Sequence, residues 1–343
     1  MSSDFDADGR LDPRVRARLR QLPREADGDV VDRDALLAEA NSPEGRALFA
    51  AEATFMALSD REDIAPSAGL RFASHKVISE PDGNAIQFQV IRPDDDEVAA
   101  CVYYMHGGGM ASLSCTYGNY RAWGRLVAAN GVAVVMVDFR NSVTPSSVPE
   151  VAPYPAGLND CVSGLRHVHA HAASLGIDPA RIVVSGDSGG ANLAIATALR
   201  LLRDGDIGLL KGLYALCPFI AGAWPDPRYP SSSEFYELLT TVTNNRAVVG
   251  YGIEALRARD PLAWPGFADR DDVTGLPPTV VSVNECDPLR DEGLAFFRLL
   301  LSAGVAARGR VARGTTHATE LDPVVCPEVS RSAARDLAAF ARF

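Results

Sequence analysis

At 343 residues, with 47% hydrophobic and 22% charged side chains, the chain has ordinary globular proportions and enough length to bury a large sheet beneath helices, which excludes a disordered polymer. Its formal charge of -11 repels polyanions and excludes a nucleic-acid partner held by phosphate neutralisation. The six cysteines, at 101, 115, 161, 217, 286 and 326, form no Cys-x-x-Cys pair, so neither a zinc nor a redox motif is proposed and reduced core thiols in a cytoplasmic protein are expected.

Met1 to Asp6 carry neither the basic start nor the apolar stretch of a secretory signal. No apolar run approaches the roughly 20 residues that span a bilayer, so a soluble chain with no membrane span is expected. Residues 1–71 are charged and alanine-rich, with helical spacing at Val15 to Leu22 and at Pro43 to Leu58, where Pro43 suits a first helical turn behind Ser42. From residue 72 the pattern turns to strands, at 72–79, 85–91, 100–105, 132–137, 181–185, 212–217 and 279–284. The later runs are continuously apolar, as in strands buried on both faces of a parallel sheet. Helical spacing at 117–130, 157–175, 190–203, 289–303 and 328–342 alternates with them, which predicts βαβ units.

The stretch 222–272 gathers Trp224, Pro225, Pro227, Tyr229, Pro230, Phe235, Tyr236, Trp264 and Pro265 without a strand signal, and an insertion over the sheet is expected there. The predicted organisation is an α/β fold with a mostly parallel central sheet flanked by helices. Its core comes in two parts, 72–221 and 273–343, and a helical cap is built from segment 1–71 and insertion 222–272.

Chemistry enters at Gly186-Asp187-Ser188-Gly189-Gly190, a Gly-x-Ser-x-Gly set between an apolar strand and an amphipathic helix. The chain must reverse so sharply there that Ser188 takes strained backbone angles, and side chains at 186 and 190 would collide. The serine hydroxyl then projects above the sheet edge, with the next helix starting beneath it and its dipole favouring negative charge. The pentapeptide alone also fits a phosphate-binding glycine turn; the flanking strand and helix favour the nucleophile.

His106-Gly107-Gly108-Gly109 leaves the apolar run Cys101 to Met105. Glycines let backbone N–H groups approach a ligand closely, so the amides of Gly107 and Gly108, with that of Gly189, are expected to form an oxyanion hole. His106 is expected to anchor this loop rather than ionise.

These motifs resemble the hormone-sensitive-lipase-like family of α/β-hydrolase esterases, the bacterial family IV carboxylesterases, whose members carry a His-Gly-Gly-Gly loop followed by Gly-Asp-Ser-Ala-Gly. The resemblance continues through Val137-Asp138-Phe139-Arg140, Tyr154-Pro155-Ala156-Gly157, Asp178-Pro179 and Asp287-Pro288-Leu289-Arg290-Asp291-Glu292-Gly293, and so covers about residues 72–343. Gly189 stands where the family usually has alanine, Ala191 where glycine is common, and Ala318 where glycine is frequent. The resemblance implies an α/β-hydrolase fold and hydrolysis of short- to medium-chain acyl esters through an acyl-enzyme, with no cofactor.

In such a fold the triad follows the order nucleophile, acid, histidine, with the last two on loops after late strands. Asp287 fits the acid: it follows the apolar run Thr279 to Asn284 and precedes a helix. His317 follows the alternating stretch Ala306 to Ala312 and fits the base that takes the Ser188 proton. Asp291 and Glu292 fall in a first helical turn and are read as structural. Among the other histidines, 167, 169 and 171 alternate, only 167 and 171 share a helical face, and no metal site is assigned to them. The expected partner is a small-molecule ester, with room for a homodimer. The rival functions are a lactone, amide or carbonate hydrolase with the same triad, and a non-catalytic ligand-binding receptor on the same fold.

Overall fold

The computed structural model describes residues 8–21, 28–235, 238–239 and 243–343. Met1 to Asp6, Leu22 and Tyr236, on which expectations were placed, lie outside the described residues. Among those described, β1 (Leu70–Ile78), β2 (Ala85–Pro93), β3 (Ala99–Met105), β4 (Ala133–Asp138), β5 (Ile177–Asp187), β6 (Gly212–Leu216), β7 (Thr279–Asn284) and β8 (Ala307–Ala312) form one sheet in the order β1-β2-β4-β3-β5-β6-β7-β8. β2 runs antiparallel to β1 and β4, and every pair from β4/β3 to β7/β8 is parallel.

The helices are α1 (Pro13–Leu19), α2 (Arg33–Ala40), α3 (Pro43–Met56), α4 (Gly118–Ala128), α5 (Ala156–Ala170), α6 (Ala172–Leu175), α7 (Gly189–Asp204), α8 (Ser231–Glu234), α9 (Arg246–Tyr251), α10 (Ile253–Arg257), α11 (Arg270–Val273), α12 (Arg290–Ser302) and α13 (Pro327–Arg342). Successive strand residues face opposite sides, so β3 feeds two cores at once. Cys101, Tyr103 and Met105 pack with Leu158 of α5, Leu193 of α7 and Phe296 of α12, while Val102 and Tyr104 pack with Trp123 of α4 and Leu337 of α13. That double burial explains why the central strands read as unbroken apolar runs.

Beyond shifts of a few residues at element ends, such as those of α1, β1 and α4, three differences from the sequence expectation have a visible cause. β5 begins at Ile177 rather than 181, because Ala99 bonds back to this end of the strand before a register shift. The helix expected over 157–175 is broken at His171, which ends α5 in a non-helical conformation. α2 was not anticipated; it is short and is started by Asp32, whose side chain accepts from the Ala35 N–H. The Ser42 cap ahead of Pro43 is present, accepting from the Gly45 N–H.

Segment 222–272 contains only short helices among its described residues. It meets the N-terminal helices through Asn245, whose side chain exchanges hydrogen bonds with the Val30 backbone at 2.8 and 2.9 Å, and through an Arg246–Glu39 ion pair at 2.9 Å. It is tied to the core by Glu292, which accepts from Trp224 Nε1 (2.6 Å) and also from the N–H groups of Ile220 (2.6 Å) and Ala221 (3.0 Å) just before the segment. Glu292 is thus structural, but through a distant segment rather than its own helix. Burial pushes its carboxyl up to about 8, the three donors pulling the other way.

Candidate active site

Parallel strands deliver their following loops to one edge of the sheet. His106 follows β3, Ser188 follows β5, Cys217 follows β6, Asp287 lies three residues past β7 and His317 five past β8.

Ser188 has φ 55° and ψ -120° and stands at the start of α7. A Cβ on Gly186 would lie 2.4 Å from the Gly190 backbone, and one on Gly190 would lie 2.1 Å from the Met105 carbonyl oxygen, so only glycine fits on either side of the strained serine. The backbone of Ser188 is pinned to the end of β6: its N–H donates to the Leu216 carbonyl (2.9 Å) and its carbonyl accepts from the Phe219 N–H (3.2 Å).

The loop after β3 lies against this turn. The Gly107 N–H donates to the Tyr120 hydroxyl at 2.7 Å, and that hydroxyl donates to Asp187 Oδ2 at 3.1 Å. The expected oxyanion donor Gly107 is therefore committed elsewhere. Among the described residues the amides of Gly108 and Gly109 donate to no backbone acceptor, and Gly109 N lies 2.7 Å from where a Cβ on Gly189 would stand. Gly189 is the first residue of α7, whose opening N–H groups have no acceptor within the helix. Gly108 and Gly109 thus keep uncommitted amides, and that of Gly109 lies beside the opening N–H of α7 at Gly189. The alanine usual in the family at position 189 would collide here, since its Cβ would also stand 2.6 Å from Met110 N.

Asp187, which the sequence reading did not single out, joins both halves of this arrangement. Tyr104 donates to its Oδ1 at 2.8 Å and Tyr120 to its Oδ2. Burial raises its carboxyl to about 6 against the pull of these two hydroxyls.

On the loops after β8 and β7, His317 Nδ1 meets Asp287 Oδ2 at 2.8 Å, and the Leu289 N–H donates to Asp287 Oδ1 at 2.9 Å. Asp287 is fully buried and the His317 side chain is 11% exposed, so the carboxylate acts on the imidazole with little screening. Burial by itself would lower the His317 pKa; the Asp287 charge overcomes it, aided by Cys217 and the hydrogen bond to Asp287, and leaves it well above the usual histidine range. Among the described residues no hydrogen bond joins Ser188 Oγ to His317, a link that in enzymes of this kind often closes only around substrate. Both meet the end of β6: Ser188 bonds to Leu216, and the next residue, Cys217, lies against His317.

His106 anchors its loop: it stacks on Phe139 at 4.2 Å and its Nδ1 meets the Gly107 carbonyl at 2.9 Å. His167, near the end of α5, and His171, which caps it, stack on each other at 4.0 Å.

Residues 102–321 match the family model described as alpha/beta hydrolase fold. Esterase Est22 is 55% identical to this chain, with 99% of each chain covered and a TM-score of 0.97; it has also been solved with p-nitrophenol and as an S188A mutant. Brefeldin A esterase, a bacterial homologue of human hormone-sensitive lipase, is 36% identical over 98% of this chain and 94% of its own, at a TM-score of 0.84. Carboxylesterase NlhH of Mycobacterium tuberculosis is 32% identical over 251 residues, 72% of this chain and 74% of NlhH. This chain belongs to the α/β-hydrolase family, on its hormone-sensitive-lipase-like esterase branch.

Proposed function

We infer that this chain is a serine carboxylester hydrolase in which Ser188 is the nucleophile, His317 the general base and acid, and Asp287 the group that orients and charges His317. The observation that carries this reading is the 2.8 Å contact of His317 with a fully buried Asp287, together with a serine held at φ 55° after β5. Ser188 Oγ attacks the ester carbonyl as its proton passes to His317, and the carbonyl oxygen becomes an oxyanion facing the Gly108, Gly109 and Gly189 amides. Collapse breaks the bond to the alcohol oxygen, which takes the proton from His317. Water, deprotonated by His317, then attacks the acyl-serine; collapse breaks the acyl–Oγ bond, Ser188 Oγ recovers the proton from His317, and the carboxylic acid leaves.

The wall beside the oxyanion loop is aromatic. The Phe219 ring lies 3.9 Å from where a Cβ on Gly109 would stand, and it stacks on Trp224 at 4.1 Å with an interplanar angle of 6°. Such a wall favours apolar acyl or aryl groups of small to medium size. Segment 222–272 and the N-terminal helices would form the cap over it. Six unpaired, buried cysteines support a cytoplasmic location. The small ester is the partner this reading requires, and size-exclusion chromatography with light scattering tests a homodimer.

A p-nitrophenyl acyl series tests the function directly. Hydrolysis is expected to be fastest with short and medium chains and to vanish in Ser188→Ala, which removes only a hydroxyl and leaves the fold intact. Unchanged turnover in that variant would overturn the assignment, and an amide with the same acyl group, cleaved faster than its ester, would move the chain to another hydrolase class.

A further inference from the structure

Cys217 takes no part in ester hydrolysis as described, yet its placement is specific. It follows β6 with φ 37°, a left-handed conformation that a cysteine rarely adopts, fixed by its N–H donating to the Ser282 carbonyl at 2.7 Å. Its side chain is 1% exposed and lies against the imidazole of His317. The sulfur of Cys217, a ring nitrogen of His317 and a carboxylate oxygen of Asp287 lie within 4.8 Å of one another, and among the described residues no other group of three histidine, cysteine or acidic side chains is gathered so closely.

We propose that Cys217, His317 and Asp287 form an inhibitory binding site for a thiophilic divalent cation of the zinc and cadmium type. One thiolate, one imidazole and one carboxylate are the ligand types such ions take, at about 2.3 Å to sulfur and 2.0–2.2 Å to nitrogen or oxygen. Ligands that far from a tetrahedral ion stand about 3.5 Å apart, so small side-chain rotations from the present arrangement suffice. The fourth position remains for water or the Ser188 hydroxyl. On binding, Cys217 releases its proton to solvent and the cation occupies a nitrogen lone pair of His317. The imidazole can then no longer both pair with Asp287 and receive the proton of Ser188, and turnover stops without any covalent change. The soft sulfur sets the selectivity: magnesium and calcium, which prefer oxygen ligands, should have no effect.

The inhibitory consequence rests on the catalytic roles given to His317 and Asp287; the binding itself does not, and two readouts separate them. Cadmium is titrated into the full-length protein while p-nitrophenyl acetate hydrolysis and the ultraviolet thiolate-to-cadmium charge-transfer band are followed. Each form is normalised to its own rate without cation. Saturable inhibition, reversed by EDTA and accompanied by the band, is expected. In Cys217→Ser the band should disappear and the inhibitory concentration should rise about tenfold or more, since even an outer-shell partner of a metal site is worth about 10–100-fold in affinity. Binding at the surface pair His167 and His171 is the same in both forms and cannot produce that difference. Ser188→Ala, though inactive, should retain the band. Equal inhibition of the parent and Cys217→Ser overturns the proposal, as does the absence of a band in the parent or in Ser188→Ala. A band in a parent without esterase activity would instead sink the catalytic reading and leave the site standing.

Discussion

Two histidine–aspartate pairs stand on loops that leave the same sheet as Ser188, and they behave in opposite ways. His106 lies on the loop after β3, 3.5 Å from Asp138 with both side chains fully buried; His317 lies on the loop after β8, 2.8 Å from Asp287. Burial pushes the His106 pKa below the usual histidine range despite Asp138, whereas Asp287 and Cys217 hold that of His317 well above it against the same burial. The difference lies first in contact, since among the described residues His106 Nε2, 3.5 Å from Asp138, has no hydrogen-bond partner whereas His317 Nδ1 meets Asp287 at 2.8 Å, and then in what else each carboxylate holds. Asp138 accepts from Ser114 Oγ (2.9 Å), the Cys115 N–H (2.8 Å) and the Ser147 N–H (2.6 Å), so its charge is already distributed over loop donors. Asp287 accepts from the Leu289 N–H through one oxygen and gives the other to the imidazole. A carboxylate saturated with donors makes its neighbouring histidine a neutral structural ring, while one with an oxygen to spare makes it a base able to hold a proton.

Exchanging the partners breaks the comparison at four levels of effect. His317→Ala should lower kcat by about a millionfold, as loss of the base does in other serine hydrolases, with an unchanged melting temperature in the same preparation. Asp287→Asn should lower kcat by about 10⁴-fold and change the pH profile. In the proposed mechanism Ser188 needs neutral His317, and a raised pKa means that activity in the parent falls as pH drops through a value above that of a free imidazole. Removing the carboxylate charge lowers that pKa, so the acid limb of kcat against pH should move to lower pH.

Asp138→Asn should act on stability instead. The amide turns N–H groups toward loop donors, a mismatch of about 2–3 kcal/mol readable by chemical denaturation, while kcat per folded molecule changes little. A loss of kcat as large as that of Asp287→Asn would erase the distinction between the two pairs. The smallest effect is expected from Tyr120→Phe, which frees the Gly107 N–H and removes a donor from Asp187. Loosening the oxyanion loop by about 1–2 kcal/mol should slow kcat about tenfold with little change in KM.

Much of this was legible in the sequence because its cause is local or periodic. The two-faced burial of β3, β4, β6 and β7 writes itself as apolar runs, and the strain at Ser188 demands glycine at 186 and 190 whatever surrounds it. Asp287 and His317 could be picked out because chain order and strand exits restrict where an acid and a base can stand. That the Gly107 amide is taken up could not be read, since it depends on a hydroxyl on α4 that no motif announces. Asp187 and Cys217 were missed for the same reason: each owes its role to tertiary neighbours, Tyr104 and Tyr120 for one and His317 for the other. The left-handed Ala318, at φ 54°, explains why glycine is frequent there in the family, and it does so only once the backbone is seen.

Trapping the acyl-enzyme tests the central claim most directly. The protein is mixed with p-nitrophenyl acetate, quenched in acid within the first turnovers, digested and weighed by mass spectrometry. One acetyl group on the peptide containing Ser188, absent from Ser188→Ala, is the expected result; full ester turnover with that peptide never acylated would contradict it.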